Sequence, residues 1–163
     1  MMKHIILILT LFYFHSLQAI EIVGYPKVVD GDTIHIKNFK IRLEGIDAPE
    51  IKQKCKKTYL QISILNLQKD YNCGQVSKKK LIQKIGTKQV KCISFNQDRY
   101  KRYLAKCFKG KINLNRWMVR NGHALAYRKY SKLYISDENI AKNEKLGLWR
   151  GTFIKPEKWR KLN

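Results

Sequence analysis

The stretch from Asp30 to Glu50 constrains the fold more than any other part of the chain. Within it, Thr33–Lys37 alternates apolar and polar residues, which is the pattern of a half-buried β-strand. Phe39–Ile46 predicts a second strand, in which Gly45 marks a bend or a close backbone approach. The Asp30-Gly31 pair before the first strand suits a tight turn that needs a positive φ. This stretch therefore predicts two consecutive strands that form a hairpin.

Two aspartates flank these strands, Asp32 at the start of the first and Asp47 at the end of the second. We expect the hairpin to bring the two carboxylates side by side. Oxygen ligands of this kind suit a hard cation such as calcium or magnesium. The alternative is that each aspartate has only a local role in its turn, where Asp is common.

Residues 1–19 have the pattern of a secretory signal peptide. Lys3 and His4 precede the apolar run Ile5–Phe14, and Ala19 offers a small residue for cleavage. The run is too short for a membrane span, which needs roughly 20 apolar residues. We expect cleavage after Ala19, with an uncleaved N-terminal anchor as the alternative. This predicts a secreted or periplasmic protein, free of the membrane after cleavage, with residues 20–163 as a single domain.

The net charge indicates what kind of partner the domain has. The chain carries 34 Lys and Arg against 12 Asp and Glu, a formal net charge of +22. Such an excess is far larger than solubility requires, and it points to a polyanionic partner. Nucleic acid and anionic membrane or wall polymers both fit, and charge alone does not separate them.

The cysteines predict two disulfides, because an even number in an exported chain favours disulfides over metal ligation. Val90–Phe95 and Arg102–Phe108 resemble the two strands of a hairpin. A two-residue turn at Arg99-Tyr100 would place Cys92 opposite Cys107, at the Cα spacing that a disulfide needs. The other pair follows by elimination, and free buried thiols are the alternative. The predicted pairs are Cys92–Cys107 and Cys55–Cys73.

Helices are predicted for three segments, each with apolar residues at helical spacing and a glycine after its end. They are Gln75–Ile85, Lys111–Asn121 and a third helix from Ser136, as its cap, to about Leu146. The inserted segment 51–72 is compatible with either a loop or a short strand. The apolar residues that we expect to be buried in the helices or to anchor the tail are Val76, Leu81, Ile82, Ile85, Ile112, Leu114, Trp117, Met118, Trp149, Phe153 and Trp159.

The order of elements indicates a fold class. Three strands, a helix, two strands and two further helices predict an α+β, mainly β domain. Five strands with an intervening helix suggest an OB-type Greek-key barrel with about three helices, a fold that commonly binds nucleic acids on its surface. Because one fold hosts many functions, the fold alone does not give the activity.

Several ordered motifs resemble the staphylococcal nuclease (thermonuclease) family, in particular its secreted bacterial members. The similarity covers roughly residues 22–160, except for the inserted segment 51–72. The motifs are Val29-Asp30-Gly31-Asp32-Thr33, Ile41-Arg42-Leu43, Gly45-Ile46-Asp47-Ala48-Pro49-Glu50, Asp98-Arg99-Tyr100-Lys101-Arg102-Tyr103-Leu104-Ala105, Trp117-Met118-Val119-Arg120-Asn121-Gly122, Ala126-Tyr127-Arg128-Lys129-Tyr130-Ser131 and Gly147-Leu148-Trp149.

The resemblance implies a role for each matching residue. Asp32, Asp47 and the carbonyl of Ala48 correspond to the ligands of a catalytic Ca²⁺ ion. Glu50 corresponds to the general base that activates the attacking water. The residues that correspond to phosphate or substrate contacts are Arg42, Arg102, Tyr100, Tyr127 and Tyr130. Lys101 departs from the family, which usually has Gly between the Tyr and the Arg of that motif, so the resemblance does not establish the turn that aims Arg102.

The implied activity is Ca²⁺-dependent hydrolysis of DNA and RNA with little sequence preference, leaving 3′-phosphate ends. The chemistry agrees, because a phosphodiester is anionic and its charge must be neutralised before water can attack. The alternative is a non-catalytic nucleic-acid-binding module, which would bind in a salt-dependent way but form no product. A binding module does not need five such residues together, which favours the enzyme. No protein partner is indicated, and we expect a monomer.

Overall fold

The computed structural model describes residues 18–62 and 65–163, so most of the predicted signal peptide lies outside the described residues. No helix among these residues has the length and apolar character needed to cross a membrane. The strands are β1 Ile20–Gly24, β2 Lys27–Val28, β3 Thr33–Ile36, β4 Phe39–Leu43, β5 Ile46–Asp47, β6 Cys55–Ile62, β7 Leu65–Tyr71, β8 Val90–Gln97, β9 Tyr103–Lys109, β10 Ile112–Asn113, β11 Leu125–Ala126 and β12 Gly151–Thr152. The helices are α1 Cys73–Ile85, α2 Leu114–Arg120, α3 Ile135–Asn143 and α4 Pro156–Leu162, with a 3₁₀ turn at Gly147–Arg150.

The main sheet curls into a barrel. Its strands follow the order β1-β8-β9-β4-β3-β2, with β10 added beside β9. β1 and β2 stand at opposite ends of this order, yet only Tyr25 and Pro26 separate them in the chain, so the sheet must curl round. Counted as one interrupted strand, β1 and β2 complete five strands with β3, β4, β8 and β9. The predicted mainly β, OB-type fold is confirmed.

The barrel encloses the principal hydrophobic core. The alternating strands contribute their inward-facing residues, and α1 and α2 cover the open side of the sheet, as expected for elements with one apolar face. Burial of these side chains is the main driving force of folding. The fully enclosed core side chains include Ile34, Ile36, Ile41, Leu43, Ile46, Leu81, Val90, Leu114, Met118 and Val119.

The inserted segment contributes two paired strands, β6 and β7, rather than a loop. β6 pairs with β7 in antiparallel register, and the short strand β12 pairs with the other edge of β6. The Cys55–Cys73 disulfide joins the start of the hairpin to the start of α1. Alternation within the segment is compatible with a strand, but no local pattern indicates the partner strand β12 far along the chain.

Both predicted disulfides are confirmed, although the predicted turn between β8 and β9 is wrong. Gln97 lies opposite Tyr103, so the strands are joined by the five-residue loop Asp98–Arg102 and not by a two-residue turn. A bulge between Ser94 and Asn96 then shifts the register by one residue. The shift brings Cys92 opposite Cys107, with the Cα atoms 4.1 Å apart.

The first helix starts earlier than predicted and buries a narrower face. Leu81 and Ile85 are buried as expected, whereas Val76 and Ile82 are exposed. Small residues fill the rest of the buried face, because α1 approaches the barrel closely at Gly74 and Ser77. An apolar residue on the helix is thus not always on its buried face.

The other helices also differ in their limits. Ile112 belongs to β10 and is exposed, so α2 begins only at Leu114, where the Asn113 side chain accepts a hydrogen bond from the backbone of Arg116. α3 begins at Ile135 without a side-chain cap, so the predicted cap at Ser136 is wrong. α4 was not predicted. It starts with Pro156 in its first turn, a favoured place for proline.

A second, smaller cluster holds the C-terminal segment on the domain. Trp149 and Phe153 pack against buried Leu125 and Leu148 and against the Cys55–Cys73 disulfide. Their rings meet edge to face at a centroid distance of 5.1 Å. The predicted packing role of these two tail aromatics is confirmed, and it holds the segment before α4 against the domain.

Candidate active site

Three sets of contacts fix the turn that contains Asp32. The Asp30 side chain accepts a hydrogen bond from the Asp32 backbone at 2.9 Å, and the Asp32 carbonyl accepts one from Leu43 at 2.7 Å. A Cβ atom on Gly31 would lie 2.0 Å from Oγ of Ser77 and 2.6 Å from Cβ of Ala48. Glycine is therefore required here, because the turn touches both α1 and the end of β5.

Arg42 holds the two predicted metal-binding aspartates together. One nitrogen of its guanidinium pairs with Oδ1 of Asp32, and the other lies 3.2 Å from Oδ1 of Asp47. The backbone of Ala48 donates to Oδ2 of Asp32 at 2.7 Å. The side chains of Asp32 and Asp47 are almost completely buried. The fork geometry of arginine suits such bidentate pairing.

Glu50 joins the same cluster through Arg160 of α4. Nη1 of Arg160 lies 2.8 Å from Oε1 of Glu50 and 2.9 Å from Oδ1 of Asp47. Arg160 was not among the predicted site residues, because its position over the site depends on long-range packing that no local pattern indicates. The only sequence hint was a proline followed by aromatic and basic residues, which is compatible with a short helix.

The backbone around Glu50 is fixed by buried contacts. Its N–H donates to the side chain of Gln53 at 3.2 Å, and the fully buried Gln53 donates in turn to the carbonyl of Ile154 at 2.7 Å. A Cβ atom on Gly74 would lie 1.8 Å from the Glu50 carbonyl. The start of α1 and the segment before α4 therefore pack directly against the residue that presents the Glu50 carboxylate.

Arg102 stands apart from this cluster in the described part of the chain. Its guanidinium pairs with Asp98 across the β8–β9 loop, with Nε and Nη2 at 2.8 and 2.7 Å from the Asp98 carboxylate. β9 runs parallel to β4, and Leu104 lies beside Arg42. Arg102 is thus at the start of the strand next to Arg42, but its side chain contacts Asp98 and not the aspartates of the cluster.

Lys101 adopts the backbone conformation that a glycine would favour at this position of the turn. Its φ is 59°, in the left-handed region, and its N–H donates to the Asp98 carbonyl at 2.9 Å. For a residue with a Cβ atom this conformation costs about 1 kcal/mol. The Asp98 carboxylate accepts hydrogen bonds from the backbones of Tyr100 and Arg102, which stabilises the loop. Although burial opposes it, the hydrogen bonds from Arg102 hold the pKa of Asp98 below its ordinary value.

Two of the three predicted substrate tyrosines lie beside the cluster. Tyr127 donates from its backbone to the Gly45 carbonyl at 2.9 Å, directly after the pairing of β11 with β5. The rings of Tyr127 and Tyr130 meet edge to face at 4.8 Å. Burial, and then the charge of Asp47, raise the pKa of the Tyr127 hydroxyl. Tyr100 lies instead against Arg102, with the guanidinium 5.4 Å from the ring centroid.

The cluster is acidic within a strongly basic protein. Burial raises the pKa of Asp47, even though Arg160 and Arg42 oppose the shift. Burial and the neighbouring charge of Asp32 raise the pKa of Asp30 to about 7. The carboxylates also raise the pKa of Arg42, outweighing the effect of its burial. The shifts of Asp47 and Asp30 are typical of carboxylates that lack enough positive charge around them.

The donor set of the cluster fits a hard divalent cation. Asp32 and Asp47 supply carboxylate oxygens, and Ala48 follows Asp47 directly with a backbone carbonyl. Calcium and magnesium accept such all-oxygen sets and complete their shells with water or phosphate oxygens. Within residues 18–62 and 65–163 no three His, Cys, Asp or Glu side chains are grouped as a metal site, so such a cation would rely on few protein ligands.

A cavity of about 550 Å³ lies elsewhere, beside α1 and the β6–β7 hairpin. It is lined by residues such as Tyr71, Lys80 and His123, and by none of the predicted site residues. Burial, with the charge of Lys80, lowers the pKa of His123 to about 4. We take the acidic cluster and not this cavity as the candidate active site, because the cluster brings together Asp32, Asp47 and Glu50 through ion pairs with Arg42 and Arg160.

The fold and the cluster agree with comparisons against known proteins. The family described as "Staphylococcal nuclease homologue" matches residues 40–151. The chain is 34% identical over 141 residues to the succinoglycan biosynthesis protein ExoI of Rhizobium meliloti, covering 83% of this chain and 69% of that protein. It is 34% identical over 143 residues to an uncharacterized endonuclease of Haemophilus influenzae, covering 83% and 70%, and 34% identical over 169 residues to one of Escherichia coli O157:H7, covering 98% of each.

These matches define a class of enzyme, the hydrolases that act on phosphodiester bonds. The chain belongs to the staphylococcal nuclease family. This family is generally metal-dependent, in agreement with the oxygen donors of the cluster.

Proposed function

We propose that this protein is a secreted nuclease that hydrolyses DNA and RNA with little sequence preference, uses Ca²⁺ and leaves 3′-phosphate ends. The observation that carries the proposal is the convergence of Asp32, Arg42, Asp47 and Glu50, which are separated along the chain and joined by ion pairs at one surface. The net charge of +22 supports a polyanionic substrate.

Asp32, Asp47 and the carbonyl of Ala48 would hold the cation. When bound, Ca²⁺ supplies positive charge next to a non-bridging phosphate oxygen and lowers the cost of bringing a nucleophile to an anionic group. Calcium at extracellular concentration suits a site with few protein ligands. The two buried disulfides support an exported protein that meets such concentrations.

Glu50 acts as the general base. Its carboxylate is about one-third exposed, at the rim of the cluster, where it can accept a proton from a water molecule. The water oxygen then forms a bond to phosphorus, and the bond from phosphorus to the 5′-oxygen breaks. The 5′-oxygen takes a proton from solvent, and Glu50 returns to solvent the proton that it accepted. General base catalysis of this type contributes ~10²–10⁴-fold.

Arg42 and Arg102 bind the phosphate. Both guanidiniums now pair with carboxylates, Arg42 with the cluster and Arg102 with Asp98, so the substrate phosphate takes over part of these pairings. Their hydrogen bonds strengthen as charge accumulates on the phosphoryl oxygens in the transition state. Tyr127 and Tyr130 beside the cluster, and the exposed Tyr100 beside Arg102, contact the nucleotide on either side.

The test is cleavage of single-stranded DNA by residues 20–163, with millimolar Ca²⁺ or with chelator. We expect Glu50→Gln and Arg102→Ala each to lower kcat by at least ~10²-fold. Arg150→Ala is the matched control, because Arg150 is an exposed arginine whose side chain, among the described residues, hydrogen-bonds the Lys145 carbonyl and no carboxylate of the cluster. Salt-dependent DNA binding without any metal-dependent product would favour the non-catalytic binding module. Normal cleavage by both variants would contradict the assigned residues.

A further inference from the structure

Arg160 takes the position of a cation within the carboxylate cluster. A single nitrogen, Nη1, lies 2.9 Å from Oδ1 of Asp47 and 2.8 Å from Oε1 of Glu50. The same Asp47 oxygen also receives Arg42 at 3.2 Å. Two arginines therefore neutralise part of the acidic cluster, and the one from α4 lies between the carboxylate of a proposed metal ligand and that of the proposed base.

The segment that carries Arg160 is fixed to the domain. β12 pairs with β6, the Ile154 carbonyl accepts a hydrogen bond from buried Gln53, and Pro156 at the start of α4 is buried. The Arg160 side chain itself is one-third exposed. Its backbone is thus anchored near the cluster, while its long side chain has room to turn toward solvent without moving the helix.

Two interpretations are compatible with this geometry. Arg160 could act as a brace whose ion pairs hold Asp47 and Glu50 in place, in which case removing it weakens every property of the site. It could instead serve as a stand-in for a divalent cation, in which case removing it strengthens cation binding. The second interpretation explains why one nitrogen bridges two carboxylates, since bridging oxygens is what a bound cation does.

We propose that Arg160 is an internal counter-ion that occupies the carboxylate cluster until a divalent cation displaces it. This rests on the proposed function, because it assigns Asp47 to the cation. Displacement frees the Glu50 carboxylate from its ion pair at the moment when it is needed as a base. It also lowers the apparent affinity for the cation, since part of the binding free energy is used to break charge-assisted hydrogen bonds.

The measurement is calorimetric titration of residues 20–163 with CaCl₂ alone, without substrate, for the wild type, Arg160→Gln, Arg160→Lys and the control Arg150→Gln. Thermal unfolding of the same four proteins is recorded with chelator and with Ca²⁺. Arg160→Lys retains a positive charge without the planar fork. The control removes one arginine charge at an exposed site that touches no carboxylate of the cluster.

If Arg160 is the counter-ion, Arg160→Gln binds Ca²⁺ on the order of tenfold more tightly, Arg160→Lys lies between it and the wild type, and the control is unchanged. The increase in Tm on adding Ca²⁺ is then larger for Arg160→Gln than for the wild type. The proposal is overturned if folded Arg160→Gln binds Ca²⁺ no more tightly than the wild type does. If that variant does not fold, the same result for Arg160→Lys overturns it. A wild type that binds Ca²⁺ but cleaves no nucleic acid refutes the proposed function instead.

Discussion

Arg42 is the residue whose removal should most clearly reveal how the cluster is held together. Its guanidinium forms ion pairs with two carboxylates that are almost completely buried, and it is itself only 14% exposed. In Arg42→Met the length of the side chain is nearly kept, but the charge and the five donors are lost. Asp32 then has no arginine partner, while Asp47 retains Arg160.

The expected loss of stability is about 3 kcal/mol at pH 7. Removing one partner of a buried ion pair typically costs about 3–5 kcal/mol, because the remaining charge stays desolvated. We take the lower end of this range, since Arg160 still compensates Asp47. Measurement of the free energy of unfolding by urea denaturation gives the difference directly, provided that the transition remains two-state.

The pH dependence separates lost charge pairing from lost packing. Burial already raises the pKa of Asp47, and loss of the opposing Arg42 charge raises it further. The folded variant therefore gains protons, and stability relative to the wild type, as the pH falls. The difference between wild type and Arg42→Met should therefore narrow between pH 7 and pH 4. The double variant Asp32→Asn/Arg42→Met lacks the uncompensated charge. At pH 7 its loss of stability relative to the wild type should therefore be smaller than that of Arg42→Met. A loss below about 1 kcal/mol at pH 7, or one that does not change with pH, would refute this reasoning.

Three further changes test other parts of the structure. His123→Gln removes a group whose pKa is lowered to about 4 in the folded protein. The wild type should therefore lose up to about 3 kcal/mol of stability as the pH falls from 6.5 to 4, and the variant should lose less. Denaturant unfolding at several pH values measures both losses. Replacing both Cys92 and Cys107 by alanine opens a loop closed over a sequence separation of 15, and should cost about 3 kcal/mol in urea denaturation; no loss would contradict a stabilising role. Gly74→Ala adds a Cβ atom 1.8 Å from the Glu50 carbonyl and should lower kcat at least ~10-fold through displacement of the Glu50 backbone, with Ca²⁺ affinity as the control measurement.

Local patterns in the sequence account for much of the barrel. Alternation predicted the strands around Ile34 and Ile41, because each strand has one face in the core and the other toward solvent. The Cys92–Cys107 pairing could be predicted because a ladder fixes which residues lie opposite one another. The predicted two-residue turn was wrong, yet the pairing held, since the bulge compensates for the longer loop.

Long-range packing explains what the sequence could not predict. β12 pairs with β6 across almost a hundred residues, and no local pattern indicates such a partner. The face of α1 was predicted from apolar spacing, but the close contact at Gly74 decides which side is buried. The position of Arg160 depends on the second hydrophobic cluster, which directs α4 over the site. The four other members of the acidic cluster were identified from their motifs, and this one was not.

The most direct test of the candidate site is a crystal structure determined with CaCl₂ and a non-hydrolysable dinucleotide. We expect a calcium ion about 2.3–2.6 Å from oxygens of Asp32, Asp47 and Ala48, with the phosphate beside Arg42 and Arg102. We also expect Glu50 within reach of a water molecule next to phosphorus. A calcium ion bound elsewhere on the domain, or a dinucleotide bound away from the acidic cluster, would contradict the proposed site.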